Sequence, residues 1–112
     1  MIEVKWSRLC KHISEQFDVD SPQIESILFL IGLQELQKFD IKFNKNMKLD
    51  VMHVALCTLL STEGYYKITH MDEDGWPHFE NIKDLPPYNV QEQTLLLKNL
   101  ILTYFSKIFN FI

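Results

Sequence analysis

The chain has 112 residues, the size of one ordinary domain. Its net charge is −4 at pH 7 and Arg8 is its single arginine, which argues against a surface that binds nucleic acid or anionic membranes. The hydrophobic fraction of 46% excludes a disordered segment, and two cysteines, Cys10 and Cys57, are too few for a disulfide framework.

The first predicted helix covers residues 4–17, where apolar residues recur at the spacing of one helical face. This segment lacks the continuous apolar core of a signal peptide, so we do not expect export. Ser21 followed by Pro22 predicts the start of a second helix over residues 22–38, because serine caps helices and proline tolerates the first helical position.

The second helix is apolar on all sides in its middle, which predicts a central position with Ile27, Leu28 and Ile31 buried. Even this longest apolar run is far shorter than the ~20 residues of a membrane span, so we expect no membrane contact and a cytoplasmic location. Glycine costs about 1 kcal/mol relative to alanine inside a helix. Gly32 therefore predicts that a neighbouring helix approaches closely at this point.

A connector rich in Asn and Lys precedes a third helix over residues 47–62, with Asn46 or Asp50 as its expected N-cap and Val54 expected to be buried. Gly64 ends this helix. The β-prone residues after it, a turn at residues 72–75 and a second β-prone segment predict a hairpin. Gly75 is expected to need a positive φ in that turn.

The last predicted helix covers residues 90–109 and begins with a capping carboxamide, Asn89, three residues before Glu92. One face of it is expected to pack in the core, with Leu97 and Ile101 buried; this face comprises Val90, Leu97, Ile101, Tyr104, Phe105 and Ile108. The remaining leucines widen the apolar arc beyond a single stripe, and these are Leu95, Leu96, Leu100 and Leu102. This surplus predicts self-association or docking of a partner.

These elements predict a mainly α-helical single domain over residues 1–112: a compact bundle of about four helices with a short β-hairpin between the third and the fourth. The order of three helices followed by GYYKITHMDEDGWPHFE resembles that of a winged-helix domain over residues 22–80. The resemblance implies that the third helix reads the DNA major groove. However, residues 50–60 carry no Lys, Arg, Asn or Gln for base edges or phosphates, so we expect no nucleic-acid partner.

The strongest functional signal is aromatic. Large side chains crowd a proline-framed hairpin, and they are Tyr65, Tyr66, Trp76, Pro77 and Phe79. The C-terminal end adds a second apolar patch with Phe109, Phe111 and Ile112. Because tryptophan and tyrosine on rigid loops often anchor interfaces, these residues predict a non-enzymatic module that binds a protein partner or a second copy of itself. No catalytic residue, metal or cofactor is expected on this interpretation.

The alternative is a metal-binding or His/carboxylate-based enzyme centred on the segment His70 to Glu80. Ligand-type side chains are dense there, namely His70, Asp72, Asp74, His78 and Glu80. Neither a zinc-binding helix motif nor a set of cysteines fixes their geometry. We therefore favour the interaction module.

Overall fold

A computed structural model describes residues 2–18, 20–38 and 42–108 of the chain. Its elements in order are α1 (Ile2–Phe17), α2 (Ile24–Leu36), α3 (Lys45–Ser61), β1 (Tyr66–Met71), β2 (Pro77–Asn81) and α4 (Val90–Ser106). The prediction of four helices with an antiparallel hairpin between the third and the fourth is confirmed. Within the described ranges, no helix combines the length and the apolar character that crossing a bilayer requires.

The chain divides into two compact units. Residues Met1–Ile24 and Pro87–Ile112 form the first unit, which contains α1 and α4, and residues Glu25–Pro86 form the second, which contains α2, α3 and the hairpin. The expected single domain over residues 1–112 stays a prediction.

In the first unit, α1 packs against α4. Leu9 and Ile13 of α1 are fully buried, as the amphipathic spacing predicts. The α4 helix begins with the predicted capping box, because the Asn89 side chain accepts from the Glu92 N–H at 2.8 Å and the Glu92 carboxylate accepts from the Asn89 N–H at 3.1 Å.

The buried face of α4 differs from the predicted one. Ile101 and Phe105 are buried as expected, but Leu97 is only half-buried and Val90 is 76% exposed. The core takes two residues that we expected to be surplus, Leu100 and Leu102. The predicted stripe was therefore wrong in part, because several arcs of this helix are apolar and the sequence alone does not rank them.

In the second unit, Ile27, Leu28 and Ile31 are buried, as predicted. A Cβ atom placed on Gly32 would overlap the carbonyl oxygen and the Cγ1 atom of Val51 on α3. The predicted close approach of a neighbouring helix at Gly32 is thereby confirmed.

Two helix starts differ from expectation. The α2 helix begins at Ile24 rather than Pro22, and Ser21 has a φ of +46°, which is outside the extended conformation of an N-cap. The α3 helix begins at Lys45, because Asn44 is its N-cap and accepts from the Met47 N–H at 2.9 Å. The third helix therefore carries Lys45, Asn46 and Lys48 in its first turn, although no Lys, Arg, Asn or Gln follows between residues 50 and 60.

The hairpin is anchored to the helices of the second unit by Trp76. Its side chain packs with Phe29, Leu33 and Phe43 against a buried cluster formed by Leu36, Val51 and Val54. This packing holds the hairpin against α3 and so places the aromatic residues of the hairpin beside that helix.

Candidate functional site

Asp72 organises the hairpin turn. Its Oδ1 atom accepts hydrogen bonds from the backbone N–H groups of Asp74 at 2.9 Å and Trp76 at 3.0 Å. Its backbone N–H donates to the Trp76 carbonyl at 2.9 Å, and the Gly75 N–H donates to the Asp72 carbonyl at 3.0 Å. Gly75 has a φ of +82°, so the predicted positive φ is confirmed.

Asp72 also binds a side chain of the returning strand. The His78 Nε2–H group donates to the Asp72 Oδ2 atom at 2.9 Å. The Trp76 N–H and, next, His78 hold the pKa of Asp72 below its usual range, because each hydrogen bond favours the charged carboxylate. The turn therefore keeps an ionised carboxylate beside an imidazole at neutral pH.

The strand register sets the positions of the two histidines. Ile68 pairs with Phe79, an irregularity follows in β1, and His70 then pairs with His78. The two imidazole rings are stacked with centroids 4.6 Å apart and planes 3° apart. The lone pair of an imidazole nitrogen lies in the plane of its ring. Because the two ring planes are parallel, these lone pairs do not converge on a single ion.

This geometry bears on the metal-site alternative. Across residues 2–18, 20–38 and 42–108, no group of three or more His, Cys, Asp or Glu side chains is arranged to hold a metal ion. One candidate ligand, Asp72, is already engaged by two backbone N–H groups and an imidazole. The alternative function stays a hypothesis without a convergent ligand set in the described part of the chain.

The side of α3 that faces the hairpin carries a cysteine and a histidine one turn apart. Cys57 Sγ lies 3.5 Å from His53 Nε2, and the cysteine is almost fully buried. Burial raises the pKa of the Cys57 thiol. A nucleophilic cysteine needs a lowered pKa, so this thiol has the properties of a core residue rather than of a catalytic group.

Between α3 and the hairpin lies a cleft of about 390 Å³ that we name the acidic cleft. The helix contributes Asp50, His53, Val54 and Cys57. The hairpin contributes Tyr66, Asp72, Trp76, Pro77, His78 and Phe79. Two carboxylates and three aromatic side chains, those of Tyr66, Trp76 and Phe79, therefore line a common space, and no lysine or arginine of the described residues lines it.

A second cleft, of about 300 Å³, lies against the same hairpin, and we name it the apolar cleft. The hairpin contributes Ile68, Met71, Pro77 and Phe79, and the helices contribute Glu35, Thr58 and Ser61. Pro77 and Phe79 line both clefts. The two clefts thus adjoin along one strand, β2.

Five predicted interaction residues lie on or beside these clefts and are half-buried. Tyr66, Trp76, Pro77 and Phe79 line them directly, whereas Tyr65 lies outside, with the Lys83 Nζ atom 4.6 Å from its ring centroid. The other three, Phe109, Phe111 and Ile112, lie outside the described residues.

Sequence reasoning missed three residues of this region. Asp50 precedes His53 and Cys57 by three and seven positions, a spacing that places all three on one helical face. Ile68 and Met71 belong to the β-prone segment, but the strand irregularity between Ile68 and His70 alters the simple alternation of faces. The helical spacing alone could have identified Asp50.

Comparison with known proteins assigns no role to these clefts. The chain matches no family model, no curated protein and no solved structure.

Proposed function

We propose that the chain is a non-enzymatic interaction module that binds a protein partner through the apolar cleft of its hairpin. The observation that carries this proposal is the exposure of the cleft's apolar walls. Ile68 is 51% exposed and Met71 is 55% exposed, and both belong to the strand β1. Clustered exposed apolar side chains commonly mark interaction sites.

The backbone of the hairpin favours a protein as the occupant. The sheet has two strands, and within the described ranges no third strand pairs with either of them. Extended peptides bind to such free edges by main-chain hydrogen bonds, while neighbouring pockets take their side chains. Pro77 removes one N–H donor from the edge of β2, which limits uncontrolled pairing there.

The overall charge and the cysteines support the same proposal. A net charge of −4 disfavours nucleic acid as the partner, because phosphate binding depends on basic surface. Cys10 and Cys57 are both free thiols, which fits the reducing conditions of the cytoplasm. The raised pKa of Cys57 disfavours a nucleophilic enzyme at the same location.

Site-specific photo-crosslinking tests the proposal. The photoreactive residue benzoylphenylalanine replaces Met71 in the full chain, and the same residue at exposed Thr103 on α4 is the matched control. We expect one discrete protein adduct at position 71 that excess unlabelled chain suppresses. Diffuse adducts that competition does not suppress, or equal labelling from position 103, would contradict the proposal.

A second candidate is self-association through the first unit, because α4 keeps apolar residues exposed. Val90 and Leu95, together with Trp6 of α1, line an open cleft of about 260 Å³, and both α4 residues are exposed. A symmetric dimer is the commonest way for a small protein to cover such a face. Sedimentation equilibrium of the full chain and of its Leu95→Glu variant tests this second candidate. It predicts a dimer that the substitution dissociates, and a strictly monomeric full chain would exclude it.

A further inference from the structure

We infer that the acidic cleft is a receptor for a guanidinium group, supplied by an arginine side chain of the protein partner. The inference rests on the proposed function, because the acidic cleft shares Pro77 and Phe79 with the apolar cleft that we assign to the partner. A segment lying along β2 would reach both spaces at once.

The charges in the cleft favour a cation. Asp50 and Asp72 line it together with the imidazoles of His53 and His78, and no lysine or arginine among the described residues does. Within the described ranges, the exposed Asp50 carboxylate takes part in no ion pair or side-chain hydrogen bond. Asp72 Oδ2 receives a single hydrogen bond, from His78, and a carboxylate oxygen can accept two. Both carboxylates therefore have acceptor capacity for a ligand.

The aromatic walls favour a flat cation over a compact one. Tyr66 and Trp76 line the same space as the carboxylates and are half-buried, and Trp76 packs against the buried cluster of Leu36, Val51 and Val54. A guanidinium is planar, stacks on aromatic faces and offers five donors in a fixed fork, whereas an ammonium is compact and strongly hydrated. The combination of aromatic side chains and carboxylates therefore matches arginine better than lysine.

The size of the cleft is also suitable. Its volume of about 390 Å³ is within the roughly 300–1,000 Å³ typical of binding pockets, so a side chain and its stem fit. The thiol and the imidazole on α3, Cys57 and His53, form part of the helix wall. We assign them no chemical step, since the inference is one of binding.

Two-dimensional ¹⁵N NMR of the full chain tests the inference, with Nα-acetyl-arginine amide as the probe at low ionic strength. We expect it to shift the Trp76 indole and the Asp50 and Cys57 amide signals, with a dissociation constant on the order of millimolar, as one small group allows. The neutral isostere, Nα-acetyl-citrulline amide, should leave these signals in place, and the lysine analogue should bind more weakly.

Matched variants make the test specific. Asp50→Asn removes one carboxylate from an exposed helix position and should weaken arginine binding about tenfold, because a charge-assisted hydrogen bond is lost. Glu63→Gln removes the same charge from the same unit outside the cleft and should change binding less than twofold. Equal shifts by arginine and citrulline, equal effects of both variants, or no shift in the cleft at about 50 mM probe would overturn the inference.

The result is separable from that of the proposed function. If the photo-crosslinked adduct at position 71 forms undiminished in the Asp50→Asn chain and arginine amide does not bind, the interaction module stands and the guanidinium receptor fails. If arginine amide binds and no competable adduct forms, the receptor stands and the apolar cleft is not the partner site.

Discussion

The close approach of α2 and α3 at Gly32 determines how Gly32→Ala changes the free energy of unfolding. Helix propensity and the packing in the structure predict changes of opposite sign. Helix propensity alone says that Gly32→Ala stabilises the chain by about 1 kcal/mol. In the structure, the added Cβ would overlap the Val51 carbonyl oxygen, a backbone atom that cannot rotate away. Overpacking of a core costs about 1–3 kcal/mol, and a backbone obstacle places the cost at the upper end of that range. We therefore expect a net loss of roughly 2 kcal/mol.

Urea denaturation followed by far-ultraviolet circular dichroism measures this free energy of unfolding. Gln34→Ala is the matched control, because it lies exposed on the same helix and should change stability by less than about 0.5 kcal/mol. A Gly32→Ala chain more stable than the parent would refute the close helix contact.

Four further predictions concern other elements. Leu28→Ala should cost about 2–5 kcal/mol in the same denaturation assay, since it truncates a buried side chain, and a change below about 0.5 kcal/mol would contradict the central position of α2. Gly75→Val should open the hairpin without unfolding the helices, because the backbone φ of +82° penalises a side chain even though nothing lies within 4 Å; hydrogen exchange should show faster exchange only in the hairpin. The folded pKa of Asp72 is lowered from the usual 3.8, so its stabilisation of the turn is present at neutral pH and disappears as the pH falls through the folded pKa. The stability difference between parent and Asp72→Asn should therefore shrink as the pH falls below 3.8, and a constant difference would contradict the carboxylate's role. Removal of residues 109–112 should weaken any self-association seen by sedimentation, and an unchanged profile would exclude a role for that end.

Local features of the fold could be predicted from the sequence. The capping box at Asn89 and Glu92, the turn at Gly75 and the helix contact at Gly32 each depend on a few adjacent residues or on one residue with a special property. Such features can be predicted because few other residue types suit the capping, turn or close-contact position concerned.

Other features depend on distant parts of the chain. Apolar residues surround much of α4, so only tertiary packing determines that Leu100 and Leu102, rather than Leu97, are buried. Asn44 rather than Asn46 caps α3. Asparagine is a favourable N-cap residue at either position, so the sequence alone does not distinguish the two.

The candidate site was predictable only in part. The aromatic residues of the hairpin indicated one wall of the site. The other wall, with Asp50 and His53, requires α3 to lie beside strands that follow later in the chain. The tertiary contact that joins them has no local signature.

A comparison of two photo-crosslinking positions tests the central claim most directly. Benzoylphenylalanine at Met71 probes the apolar cleft, and at Leu95 it probes the exposed face of α4. We predict that the Met71 position yields a discrete adduct with a different protein, and that Ile68→Asp, which charges the cleft wall, reduces that adduct at least several-fold. An adduct of twice the chain's mass at Leu95, with none at Met71, would contradict the account and establish self-association through α4 instead.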